Sequence, residues 1–93
     1  MHVFSLLIEL ELPCTSLKGK RGIIKSIIAR ARNRFNVAGA EVANQEDWGS
    51  AQLAFVTVSG DRGYARRLLE QLEEWIVGER PDLPIHFVDY EER

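Results

Sequence analysis

Cysteine, methionine and proline are scarce in this chain: one, one and three among 93 residues. A lone cysteine allows no internal disulfide, which suits a reducing compartment, and a cytoplasmic protein is expected. No apolar run approaches the roughly 20 residues of a membrane-spanning helix. The N-terminal stretch lacks a basic segment followed by a long apolar one, so no signal peptide is expected. Two histidines, His2 and His86, stand far apart and read as surface or strand-edge residues. With one cysteine they offer no ligand set at metal-binding spacing. Repeats, low-complexity segments and linkers are also missing. The length suits a single domain, residues 1–93, with one modest core and no deep enclosed active site.

What is present is regular patterning. In residues 2–12, Phe4, Leu6, Ile8, Leu10 and Leu12 share one parity and Ser5, Leu7, Glu9 and Glu11 the other, which predicts a strand ended by Pro13. In 17–35, Ile24, Ile27, Ile28, Ala31 and Phe35 recur at helical spacing, with Ser16 or Thr15 as N-cap. Residues 36–45 read as a weaker strand containing Gly39, 45–50 as a turn, and 51–59 as a strand. Asp61 suits the N-cap of a second helix carrying Ala65, Leu68, Leu69, Leu72 and Ile76, stopped by Gly78 and Pro81. Residues 84–90 complete the set as a last strand. The order βαββαβ predicts an α+β ferredoxin-like sandwich: a four-stranded antiparallel sheet, order 4-1-3-2, with two helices on one face. Leu7, Glu9 and Glu11 are expected on the open face.

The net charge of −2 hides an asymmetry. Lys18, Lys20, Arg21, Lys25, Arg30, Arg32 and Arg34 stand between residues 18 and 34 with no acid among them. The remainder holds five bases against fourteen acids, a formal −9. At about 100° per residue, Lys18, Arg21, Lys25 and Arg32 fall on one flank of the apolar stripe, Arg30 and Arg34 on the other. The bases are candidates for binding nucleic-acid or other phosphates; the alternative is a solvated helix face whose stems cover the edge of the core. Cations in a first turn oppose the helix dipole, and Gly19 and Gly22 weaken the helix there, which favours a phosphate contact over a purely structural turn. The segment lacks the P-loop pattern, so nucleotide hydrolysis is not implied.

Other reactive residues point less far. Cys14, before the basic turn, has no nearby histidine base and reads as an incidental loop cysteine. Glu9 and Glu11 share a strand face and read as solvent-facing. Glu41 interrupts a small-residue strand and reads as structural, paired with a base of the first helix or a neighbouring strand. Asn36 suits a positive-φ exit from the helix. Phe35, Tyr64 and Trp75 read as packing residues. Trp48 either stacks on a base or caps the core.

The stretch Ser16-Leu17-Lys18-Gly19-Lys20-Arg21, with Arg32-Asn33-Arg34-Phe35-Asn36-Val37, Ala40-Glu41-Val42 and Asp47-Trp48, resembles the YlxP-like family of small bacterial proteins, a domain of unknown function. Thr15 stands where that family has histidine in its first motif, and Gly19 where it has glutamate, which makes this turn more cationic. The resemblance implies a ferredoxin-like fold and, through gene neighbourhood, a link to translation and ribosome maturation. It supplies no catalytic residue.

The expected function is therefore a non-enzymatic RNA- or ribosome-associated protein that uses the first helix, with no cofactor and no membrane. Acids on the open face argue against the sheet as an RNA platform. The alternatives are a self-associating module, through the open sheet face (Leu7, Phe55) or an edge strand, and a binder of a small phosphorylated ligand.

Overall fold

A computed structural model describes residues 1–93. Its elements are β1 (His2–Glu11), α1 (Leu17–Arg34), β2 (Ala38–Ala43), β3 (Ser50–Ser59), α2 (Arg62–Glu79) and β4 (Ile85–Glu92). The sheet is antiparallel, in the order β2-β3-β1-β4, which is the expected order read from the other edge. Alternation on β1 explains its central place. Phe4, Leu6, Ile8 and Leu10 are buried under the helices, while Leu7, Glu9 and Glu11 point to the other side.

α1 begins at Ser16, whose Oγ accepts from the Gly19 N–H at 3.1 Å, and Asp61 caps α2 by accepting from the Tyr64 N–H at 3.0 Å. α2 lies over the central strands and buries Ala65, Leu68, Leu69, Leu72 and Ile76. α1 leans over the edge strand β2 and buries the shorter set Ile24, Ile27 and Ala31. At the far ends of the helices, Phe35 meets Trp75 edge-on, centroids 5.9 Å apart.

Gly39 is required where it stands. A Cβ there would lie 2.7 Å from the Phe55 ring, which crosses β2 beneath the helices. Phe55 is fully buried, so it is a core residue and not the open-face contact the sequence suggested. β3 places Ala51, Leu53, Phe55 and Thr57 on the helix side. α1 leaves its last turn through Phe35 in extended backbone. The single non-glycine residue at positive φ is Asn44 (62°), in the β2–β3 connection, and not Asn36. Tyr64, expected to pack, is largely exposed.

Candidate nucleic-acid interface

The seven bases of α1 occupy three settings. Lys18, Arg21, Lys25 and Arg32 are exposed and make no ion pair. Arg21, Lys25 and Arg32 line an open groove of about 770 Å³ along the side of α1 that faces β2. Ile24, Ile28 and Ala29 supply its apolar part, and Glu41 reaches it from β2. Cationic heads around an apolar strip are what long side chains produce when their stems lie on the edge of a core.

On the opposite flank, Arg30 is committed. It pairs with Glu79 of α2 at 2.6 Å and lies 5.6 Å from the Trp75 ring centroid. Arg34 lies 6.0 Å from the Phe35 ring centroid and lines a hollow shared with Tyr64 and Arg67 of α2. Arg30 therefore belongs to the helix–helix seam, whereas Arg34 is exposed and makes no ion pair.

Lys20 is the correction to the candidate set. It is 0% exposed and turns inward. Its Nζ donates to the carbonyl oxygens of Asn44 and Asp47 and lies 2.9 Å from Glu41 Oε2. An ammonium has three donors and no acceptor, and here an ion pair and two carbonyls surround it. Lys20 is thus unavailable to a phosphate. It ties the first turns of α1 to β2 and to the β2–β3 connection. Glu41, read as structural, has the α1 partner expected of it.

That connection is organised from both sides. Asn44 donates through Nδ2 to Glu9 at 3.4 Å and Ser50 at 3.3 Å. Asp47 accepts from the Gly49 N–H at 2.8 Å and Ser50 Oγ at 3.0 Å. These hydrogen bonds, helped by the Lys20 charge, hold the Asp47 carboxyl below its ordinary pKa. The next residue, Trp48, is 48% exposed and does not cap the core. The Lys20 tie to the Asp47 carbonyl holds the segment that carries this half-exposed indole against the first turns of α1. Asn44 and the Lys20–carbonyl contacts were not foreseen from the sequence. An acid on the inward parity of β2 was their one visible signal.

The remaining candidates stay apart from this surface. Cys14 is a free thiol, half-buried against the core. His2 lies 3.3 Å from Glu92, and His86 lies 2.9 Å from Glu11, both at the sheet. Tyr90 donates to Glu73, and burial together with that carboxylate raises its pKa strongly. No helix is long and apolar enough to cross a membrane.

Residues 3–90 match the family model described as "Protein of unknown function (DUF503)". The chain belongs to this family. It is 33% identical over 61 residues to the uncharacterized protein YlxP of Bacillus subtilis (strain 168), a match spanning 66% of each chain. It is also 29% identical over 85 residues to mouse "A disintegrin and metalloproteinase with thrombospondin motifs 4". That match covers 91% of this chain but 8% of the mouse protein, so nothing of the larger protein's activity comes across. The family's function is unknown, and its description names no catalytic residue. The matched span takes in both helices and nearly the whole sheet, and with them every base of α1.

Proposed function

We propose that the chain is a non-enzymatic RNA-binding protein, associated with RNA or a ribosomal particle through the β2-side flank of α1. The observation that carries this reading is the row Lys18, Arg21, Lys25 and Arg32: exposed, unpaired, and on a helix without a single acid. Lysine and arginine on one face meet phosphate oxygens without reading sequence. Arg21, Lys25 and Arg32 share one groove, so a backbone lying along it meets successive cations. Trp48 gives one end of the surface an exposed ring on which a base can stack. A small phosphorylated ligand would find the same cations, but the groove is open along the helix and suits an extended polyanion better.

The test is binding of a fluorescent RNA at increasing salt. Four neutralised phosphates predict a slope of about −3 in log affinity against log salt. The Lys18→Glu, Arg21→Glu, Lys25→Glu, Arg32→Glu variant should stay folded and lose binding. Retained affinity in that variant, or no RNA binding at low salt by the native chain, overturns the reading.

A further inference from the structure

The open face of the sheet carries a regular residue pattern. Three rows can be read across it from the strand registers. The middle row runs Ala40, Ala54, Leu7, Asp89 from β2 to β4. The row beside it runs Ala38, Val56, Ser5, Glu91, and the row on the other side Ala43, Gln52, Glu9, Phe87. The half nearer β2 carries alanines in all three rows. The half nearer β4 carries the leucine, the phenylalanine and the acids.

A two-fold axis parallel to the strands, between β1 and β3, turns each row onto itself in reverse. Leu7 then faces Ala54 of the copy and Phe87 faces Ala43, while Val56 comes over Ser5, which Arg93 of its own chain covers by donating to Ser5 Oγ at 3.1 Å. Large meets small in the first two pairs, and each pair occurs twice, as an isologous contact requires. Asp89 and Glu91 fall over Ala40 and Ala38 at the two outer edges, where water still reaches them. Gln52, which donates to Glu9 of its own chain at 2.9 Å, comes over the copy's Glu9. An axis across the strands would instead set acid against acid.

The face also has reason to be covered. Val56, Val58 and Phe87 are 38%, 51% and 50% exposed on it. Contiguous apolar surface of this kind marks interaction sites. Four strands of up to ten residues give a footprint of roughly 500 Å² per partner, about 1,000 Å² in all, which is the size of a weak, concentration-dependent contact. Glu9, Asp89 and Glu91 make it hostile to nucleic acid and to anionic lipid. Edge pairing is the weaker route to a dimer, because β2 carries a bulge at Glu41/Ala43 and an inward-pointing charge at Glu41.

We infer that the chain forms a face-to-face homodimer through the open sheet, with both basic α1 surfaces left on the outside. This does not depend on the RNA reading. Sedimentation equilibrium from about 5 to about 500 µM should show a monomer–dimer transition, the range that a micromolar contact spans. Leu7→Asp should weaken association about tenfold or more, since it sets an unpaired charge in the contact. Leu7 is only partly buried and points away from the helices in the monomer, so that variant should fold, and circular dichroism checks it. Ala40→Lys should strengthen association by meeting Asp89 of the copy, and adding Asp89→Lys should reverse the gain. A monomer throughout, or a dimer indifferent to Leu7→Asp, overturns the inference. Weakening by Leu7→Asp with no gain from Ala40→Lys overturns the axis.

Discussion

Arg30 and Arg32 stand two residues apart on α1 and live in different settings. Arg30 holds Glu79 at 2.6 Å and lies by the Trp75 ring, so its charge is spent on joining the helices. Arg32 opens onto the groove over β2 and holds nothing. Lys20, on the same helix, is buried whole and spent on Glu41 and two carbonyls. A count of seven bases is therefore not a map of a binding surface. Four are exposed and unpaired on the β2-side flank, Arg30 joins the helices, Arg34 stands exposed beside Phe35, and Lys20 is part of the fold. Stability and binding should separate cleanly between these groups.

The sharpest break in that comparison is Lys20→Met. It leaves Glu41 charged and mostly buried and strips a partner from two carbonyls. Loss of one member of a buried pair costs about 3–5 kcal/mol, and residual water contact at Glu41 places this case near 3. Urea unfolding should show that loss. Adding Glu41→Leu should return much of it, because the stranded charge goes too. A loss under about 1 kcal/mol in Lys20→Met would mean that the tie contributes little.

A smaller effect compares the two flanks directly. Arg30→Ala should lose about 0.5–1 kcal/mol, the sum of an exposed ion pair and an exposed cation–π contact. Arg32→Ala should stay within about 0.5 kcal/mol of the native chain. RNA affinity should rank them the other way, with Arg32→Ala weaker in binding and Arg30→Ala unchanged. Equal effects of the two on both readouts would dissolve the distinction between the flanks.

The fold was legible because its code is local. Alternation on β1, helical spacing from Ile24 to Ala31, and Asp61 before α2 each name an element without knowledge of its neighbours. The two flanks of α1 followed from angle alone: Arg21, Lys25 and Arg32 do line one groove, and Arg30 lies on the other side. Depth was not legible in the same way. An angle says which way Lys20 points, and only the partner strand says whether water is there. Two parities held the missing information. Gly39 and Glu41 share the inward parity of β2, and an inward acid calls for a buried base. Phe55 shares the inward parity of Ala51 and Leu53, which places it in the core. The left-handed residue is Asn44 and not Asn36, although both asparagines stand just past an element. What distinguishes Asn44 is its side chain, which reaches Glu9 and Ser50 across the sheet.

The mildest test concerns the far end of the free flank, where Asp47 shapes the connection that carries Trp48. Its carboxylate accepts from the Gly49 N–H and Ser50 Oγ, and its own carbonyl accepts from Lys20. The two hydrogen bonds to the carboxylate, Gly49 first, and to a lesser degree the Lys20 charge favour the charged form, so the folded pKa lies below the unfolded one. The contribution to stability is therefore complete above the ordinary carboxylate range and fades as pH falls through the folded value, below about pH 4. In an NMR titration the Asp47 carboxyl carbon should reach its midpoint at lower pH than in a free peptide of residues 44–50. Asp47→Asn should remove that part of the acid-side slope and alter Trp48 fluorescence, while leaving the neutral-pH ion pair of Lys20 with Glu41 in place. A midpoint at or above that of the peptide would show a carboxylate that holds nothing. The order at this end of α1 would then rest on Lys20 and Asn44 alone.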